Sequence, residues 1–314
     1  MKHKIIIGLI LLCQVSIVLA ASSNKFMPAP EKLSQHVYAW IGPLDAPSKA
    51  NHGYRMNMGV VIGRKAVAVI DTGYTEGMAK QMLAEIRKLT NLPIIYAINT
   101  NSQPHRFMGN EVFRAAGAKV VAHKDSASRM ASKGGQFAGN IERILELKTD
   151  SVTVPGKPDV LLESDMEVDL GGVTIVIKPY GAGHTPAQLV VLVKQDNIVF
   201  SGDILYSGRL LAVLDDSKIL EWLKAYKKLD EFGNARFVPG HGQPAKLKAF
   251  DFPTYQYLQL LNTHMSKSID EGVSIQDAIN SIDQSRYQKL VNFKELAGRN
   301  ASWAYIEREK AFFE

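Results

Sequence analysis

Short runs of β-branched and aromatic residues, bounded by turn-forming residues, recur along the chain. Such runs predict strands over His36–Ile41, Met58–Ile62, Ala66–Ile70, Ile94–Ile98, Lys119–Ala122, Val173–Lys178, Leu189–Lys194, Asn197–Ser201 and Arg236–Val238. Apolar residues at helical spacing predict helices over Glu76–Leu89 and near Ser217–Phe232, and the chain after Pro253 is mainly helical.

The order of these elements predicts the fold class. Strands come first, strand–helix alternation follows, and the same order then repeats, which predicts an α/β protein with mixed sheets and helices outside. Residues 21–34 are small and polar with two prolines and predict a flexible tether. We expect one domain over residues 35–250 and a helical extension, residues 251–314, packed on it. The loops at the strand ends are the expected place for chemistry.

The first twenty residues have the pattern of a secretory signal peptide. A short basic start with Lys2 and Lys4 is followed by an apolar run that ends in Val18-Leu19-Ala20. The run is short for a membrane-spanning helix, and no basic cluster follows it. We therefore expect cleavage after Ala20, a periplasmic or secreted location, and no stable membrane insertion after signal removal.

The cysteine content and the charge limit the kinds of site and ligand that we expect. Cys13 is the only cysteine and lies inside the predicted signal, so the mature chain would have no disulfide, thiolate ligand or cysteine nucleophile. The formal charge of the whole chain is +6, with basic residues scattered among acidic ones. This small excess favours anionic ligands, whereas nucleic acid as a partner is not expected.

Five short segments occur in an order that matches a known family. They are Ala66–Gly73, which ends in Asp71-Thr72-Gly73, then Ile98–Asn110, Gly183–Pro186, Phe200–Asp203 and Val238–Gly242. Together they resemble the metallo-β-lactamase superfamily over roughly residues 35–245. The resemblance implies an αββα sandwich, with two mixed β-sheets flanked by helices. The predicted signal and the loop residues Ser102, Pro104, Gly109 and Asn110 look most like the periplasmic quinoprotein-relay-type metallohydrolase branch.

The family's metal-binding loop reads N-T-H-x-H-x-D-H-x-x-G-N, and its metals activate water for hydrolysis. In this chain Asn101, Gln103, His105 and Arg106 stand at the four ligand positions, so all four have changed. The scaffold of the loop is kept at Asn99, Thr100, Pro104, Gly109 and Asn110. Amide side chains are poor zinc ligands and arginine cannot bind a cation. The usual dinuclear zinc site is therefore not expected.

Two interpretations of the remaining site stay open. The resemblance implies that His184, Asp203 and His241 are the surviving ligands of the other loops. In one interpretation a single metal, most simply zinc, is bound by His105, His184, Asp203 and His241. In the other no metal binds, and Arg106 supplies positive charge near Asp203 in place of the lost cation. We favour the second, because a buried carboxylate without a partner would be costly, and we expect Arg106 to lower the pKa of Asp203.

These interpretations lead to different functions. The favoured hypothesis is a pseudoenzyme whose cleft binds a small polar or anionic ligand. We expect that cleft to be lined by Asn101, Gln103, His105, Arg106 and Asp71. The alternative is a hydrolase of an ester, lactone, lactam or thioester that uses one metal. A third possibility is a scaffold role for the C-terminal helical segment. The sequence identifies no catalytic residue and no cofactor other than the alternative zinc ion.

Overall fold

The computed structural model describes residues 25–313. The predicted signal peptide and Cys13 lie outside the described residues. Among those described, no helix is both long and apolar enough to cross a membrane.

The first sheet has seven strands that lie side by side in sequence order. They are Glu31–Lys32 (β1), Val37–Trp40 (β2), Met58–Ile62 (β3), Val67–Ile70 (β4), Ile94–Ile98 (β5), Lys119–His123 (β6) and Val160–Leu162 (β7). Strands β1 to β4 pair antiparallel, and β4 to β7 pair parallel. The change of direction follows from the connections, because parallel neighbours need a crossover, and helices provide it here.

The second sheet has five strands in the order β12-β11-β10-β9-β8. They are Met166–Asp169 (β8), Thr174–Gly181 (β9), Gln188–Val193 (β10), Ile198–Tyr206 (β11) and Arg236–His241 (β12). All neighbours are antiparallel except β11 and β12, which are parallel. Every residue of β11 is buried, so this strand carries its side chains into the interior on both faces.

Helices cover the outer faces of both sheets. They are Glu76–Leu89 (α1), Pro104–Phe107 (α2), Asn110–Ala115 (α3), Lys124–Leu145 (α4), Ile219–Lys228 (α5), Tyr257–Asp270 (α6), Ile275–Ser281 (α7) and Phe293–Phe313 (α8). Helix α1 illustrates how the apolar spacing predicts a helix. Thr75 caps it by accepting a hydrogen bond from the Met78 amide, and Met78, Met82 and Ile86 are buried at helical spacing.

The core forms three apolar layers. The central layer contains residues of both sheets, such as Ile70, Ile98, Ile177 and Phe200, and therefore lies between them. One outer layer joins the first sheet to α1, α3 and α4, and the other joins the second sheet to α5, α6 and α8. The prediction of two mixed sheets with helices outside is confirmed.

Two segments differ from the sequence-based expectation. The described part of the predicted tether is packed, since Met27 is buried and β1 pairs with β2. The amide groups of Phe26 and Met27 donate to Gln81 of α1, which fixes this segment on the domain. The long helix α4 was not predicted at all.

Candidate functional site

A cavity of about 460 Å³ opens beside the ends of several strands. Gln103 follows β5, His184 follows β9, Tyr206 ends β11 and His241 ends β12, and all four line the cavity. Parallel strands place the residues at their carboxyl ends along one edge of a sheet, which is where ligands bind in such folds. The cavity therefore lies where the family motifs predict a site.

Arg106 is buried behind this cavity, and all the N–H groups of its guanidinium donate hydrogen bonds. Its Nε and Nη2 donate to the two carboxylate oxygens of Asp203 at 3.2 and 2.6 Å. Its Nη1 donates to Asp71 Oδ2 at 3.0 Å and to the carbonyl of Asn57 at 2.8 Å, and its Nη2 also donates to the carbonyl of Gly240 at 3.1 Å. A guanidinium has five N–H donors, so each has an acceptor. The predicted proximity of Arg106 and Asp203 is confirmed.

Asp71 joins this group from the end of β4. Both its carboxylate oxygens accept from the Thr100 hydroxyl, and Oδ1 also accepts from the Thr100 amide at 2.8 Å. Burial raises the pKa of Asp71 to about 6, against the opposing effects of Arg106 and Thr100. The carboxyl is therefore ionised at neutral pH, and it links the end of β4 to the loop after β5.

The loop after β5 keeps its shape through buried amides. Asn99 and Asn110 exchange two hydrogen bonds of 2.9 Å, and Asn99 also donates to the carbonyl of Arg106 at 2.8 Å. Thr72 donates to Asn110 from the neighbouring strand end. These scaffold residues hold the backbone of the loop that the resemblance aligns with the family's metal-binding loop.

Three histidines surround Asp203. The Nε2 atoms of His105, His184 and His241 lie 3.5, 3.9 and 3.3 Å from its carboxylate oxygens. His241 is held by its Nδ1 contact with the Arg55 carbonyl at 2.8 Å and by stacking on Tyr206. His105 Nε2 and His184 Nδ1 are buried without a hydrogen-bond partner among the described residues.

The electrostatics of this group follow from its burial. Burial lowers the pKa of His105 and His184 to about 4 and that of His241 to about 3, so all three are neutral at neutral pH. Burial disfavours the charged form of Asp203, but the positive charge of Arg106 holds its pKa well below its usual value. The predicted lowering is confirmed.

A smaller set of these residues has the spacing of metal ligands. The ligand atoms of His105, Asp203 and His241 all lie within 4.8 Å of one another. His184, the fourth predicted ligand, lies outside this set, although it faces the same carboxylate.

The predicted cleft residues fall into two groups. Gln103 and His105 line the cavity. Asn101, Arg106 and Asp71, also expected to line it, are buried behind it instead. Their polar atoms are turned toward one another, because Asn101 Nδ2 donates to Asp203 and Arg106 joins both carboxylates.

Several residues at the site were not found from the sequence. Tyr206 and the arginines Arg55 and Arg209 line the cavity. Asn57 lies behind it and donates to the carbonyls of Pro239 and Gly242, which holds the loop of His241. Tyr206 lies three residues after Asp203 and could have been identified as the last residue of β11, the strand that contains both. Nothing in the local sequence marks the other three.

Comparison with known proteins places these features in a family. The family model for the metallo-β-lactamase superfamily matches residues 55–241, more than half of the chain. Metallo-β-lactamase IND-1 of Chryseobacterium indologenes is 23% identical over 218 residues, covering 68% of this chain and 81% of that protein. Metallo-β-lactamase type 2 of Elizabethkingia meningoseptica is 25% identical over 197 residues, covering 60% and 69%.

A solved structure agrees with this at the level of the fold. The metallo-β-lactamase from Pontibacter korlensis superposes with a TM-score of 0.60 at 21% identity, covering 73% of this chain and 98% of that one. The five motifs, the two-sheet sandwich and the family match all indicate the same relationship. The chain belongs to the metallo-β-lactamase superfamily.

Proposed function

We propose that this protein is a pseudoenzyme of its superfamily: its site has lost the metals, and its cleft binds a small polar or anionic ligand. The observation that carries this proposal is the position of Arg106. Its guanidinium is fully buried and forms a two-pronged ion pair with Asp203, a surviving ligand position of the family. A fixed positive charge beside Asp203 compensates the carboxylate, as a metal cation would otherwise do.

The donor set fits a metal poorly. A carboxylate offers about four lone-pair sites, and on Asp203 three are taken by Asn101 Nδ2, Arg106 Nε and Arg106 Nη2. A metal would have one lone pair left there and would lie beside a buried guanidinium that repels it. Two metals would also need the ligands that Asn101, Gln103 and Arg106 have replaced.

The cavity supports ligand binding as the function of a site without metals. It is lined by neutral histidines, Tyr206 and several arginines, which together offer hydrogen bonds and positive charge. Its volume of about 460 Å³ lies within the range of small-molecule sites. A small polar or anionic molecule is therefore the expected ligand.

Metal analysis tests the proposal directly. Protein purified without added zinc should contain far less than one equivalent of zinc, iron or manganese. Its melting temperature should not change with a chelator, because no metal contributes to the folded state. One tightly bound equivalent, together with a large loss of melting temperature on chelation, would overturn the proposal.

A second candidate function rests on a separate observation. His105, Asp203 and His241 have ligand atoms within 4.8 Å of one another, and His105 Nε2 has no hydrogen-bond partner. With His184 nearby, these residues would be the ones to hold a single zinc ion. A zinc ion would activate water toward an ester, lactone, lactam or thioester. Zinc-dependent hydrolysis that is lost in His241→Ala would favour this candidate.

We also propose that the protein is exported. The basic start, apolar run and small-residue end of the first twenty residues support this. Mass spectrometry of the protein from the periplasmic or culture fraction should give a chain that begins after Ala20. A chain with Met1 intact in the membrane fraction would contradict it.

A further inference from the structure

Arg209 is a buried cation that takes part in no ion pair with the described residues. It is 2% exposed and lines the cavity beside the site. Its Nε and Nη1 are buried and have no hydrogen-bond partner in the described part of the chain. A buried charge without a partner is strongly destabilising. An unpaired arginine in the wall of a cavity therefore indicates that an anion binds there.

Arg55 presents a second guanidinium to the same cavity. It forms no ion pair with any described residue, and its Nε is likewise buried without an acceptor. Its backbone carbonyl is engaged by His241, which fixes the loop that carries it. The two guanidinium groups come from distant parts of the chain, one before β3 and one after β11.

The charge around the cavity is unbalanced toward positive. Arg55, Arg143, Arg209 and Arg299 line it, and Glu295 is the one acidic residue among its described lining residues. Behind the wall, Asp71, Arg106 and Asp203 together carry one negative charge. Over these arginines and carboxylates, two positive charges are left, which is the complement of a dianion.

Part of the wall is apolar. Phe137, Ile144, Ala212, Leu214 and Leu296 line the same cavity. An apolar wall between charged groups suits a ligand with a hydrocarbon body and acidic ends. Arginine pairs well with carboxylates, because its donors match their planar geometry.

We infer that the cleft binds an organic dicarboxylate, with one carboxylate on Arg209 and the other on Arg55. This inference rests on the proposed function, because it gives the ligand-binding cleft a ligand class. Arg143 and Arg299, both exposed on helices at the cavity, add to the attraction of the dianion.

Calorimetric titration with the straight-chain dicarboxylates glutarate, adipate, pimelate and suberate tests the inference. Hexanoate and adipamide are the matched controls with one charge and none. The best dicarboxylate should bind on the order of 10- to 100-fold more tightly than hexanoate, because a second charged hydrogen-bonding contact is made. Equal affinity for hexanoate, equal affinity for adipamide, or no binding of any dicarboxylate would overturn the inference.

Two variants locate the binding. Arg55→Met and Arg209→Met should each reduce dicarboxylate affinity to about that of hexanoate. Arg209→Met should also raise the melting temperature of the ligand-free protein, since it removes an unpaired buried charge. Arg129→Met is the matched control, because Arg129 is buried but paired with Asp216. It should lower the melting temperature, in contrast to Arg209→Met. Unchanged binding in Arg209→Met, or a fall in its melting temperature like that of Arg129→Met, would contradict the inference.

Metal analysis of the same samples separates the two proposals. Metal-free protein that binds no dicarboxylate would refute only this inference. Zinc-containing protein whose dicarboxylate binding survives chelation and is lost in Arg209→Met would refute only the proposed loss of metal. Binding that disappears with the chelator would refute both, because the carboxylates would then be ligands of the metal.

Discussion

Arg106, which the resemblance aligns with a histidine of the family, is the centre of a buried charge network. Two carboxylates and two backbone carbonyls accept its donors, so desolvation of the guanidinium is offset by five hydrogen bonds. Gly240 is needed for this packing, since a Cβ there would lie 2.2 Å from Asp203 Oδ1 and 2.6 Å from Arg106 Nη2. The absence of a side chain at Gly240 therefore leaves the space that the guanidinium occupies.

Removal of this cation should be costly. Arg106→Ala leaves Asp203 and Asp71 buried without their shared partner, so we expect a loss of about 3–5 kcal/mol in the free energy of unfolding. Arg106→Lys should recover only part of this loss, because an ammonium lacks the planar pair of donors. Urea denaturation measures both variants.

A surface arginine provides the control. Arg114 pairs with Glu111 and Asp159 but is partly exposed, so Arg114→Ala should cost less than about 1 kcal/mol. If Arg106→Ala is no more destabilising than Arg114→Ala, Asp203 does not depend on the guanidinium.

The sequence predicts contacts between residues that lie in the family motifs. Arg106 and Asp203 stand at family ligand positions, so their proximity follows from the resemblance. The acceptors at Asn57 and Gly240 could not be predicted, because they are backbone carbonyls presented by distant loops. For the same reason the sequence does not reveal that Arg209 is buried.

Helix α4 connects two loops that border the cavity. Arg129 on this helix donates to the Ser102 carbonyl in the loop after β5 and to both carboxylate oxygens of Asp216 before α5. This helix was not predicted from the sequence, although Met130, Ile141 and Leu145 are buried on one face at helical spacing. Three glycines near its centre, at positions 134, 135 and 139, disfavour a helix by propensity alone. Close packing outweighs this propensity, since a Cβ at Gly134 would lie 2.5 Å from Val154 Cγ1.

The link between Arg129 and Asp216 should depend on pH. Burial disfavours the charged carboxylate, but Arg129 and Lys133 together hold the pKa of Asp216 below its usual 3.8. The folded pKa lies below the unfolded one, so the stabilisation is present above the unfolded pKa and is lost as pH falls through the folded pKa. Asp216→Asn should cost about 1–3 kcal/mol at neutral pH, because Arg129 is buried and loses a charged acceptor.

Denaturation of parent and variant over a series of pH values checks this. The difference between them should begin to shrink below the unperturbed value of 3.8, and it should be lost as pH falls through the lower pKa of the folded carboxyl. Asp215→Asn is the matched control, since Asp215 is exposed and pairs only with Lys133 among the described residues. A pH-independent difference for Asp216→Asn would contradict the ion-pair explanation.

The cavity is a property of the whole molecule. Its walls come from the loop before β3, from α2 and α4, from the ends of β11 and β12, and from α8. The sequence predicts the edge of the sheets where these segments meet, because strand order and motifs indicate it. It cannot predict that α8 contributes Leu296 and Arg299 to the cavity wall, because that depends on how the helices pack on the two sheets.

We propose that the loop after β5 keeps the family backbone although its metal ligands are lost. The quadruple variant Asn101→His, Gln103→His, His105→Asp and Arg106→His restores the family ligands on the unchanged scaffold. Addition of His241→Ala to this variant provides the matched control, because it removes a surviving ligand of the metal site. Calorimetric titration of zinc into the parent, the quadruple variant and this control compares the three proteins directly.

We expect no tight zinc binding by the parent, tight binding by the quadruple variant, and weaker binding by the control. Loss of the guanidinium frees the lone pairs of Asp203 for a metal, and the new histidines supply the missing nitrogen ligands. Equally tight zinc binding by the parent and the quadruple variant would contradict the account. It would mean that His105, His184, Asp203 and His241 already form a working metal site beside Arg106.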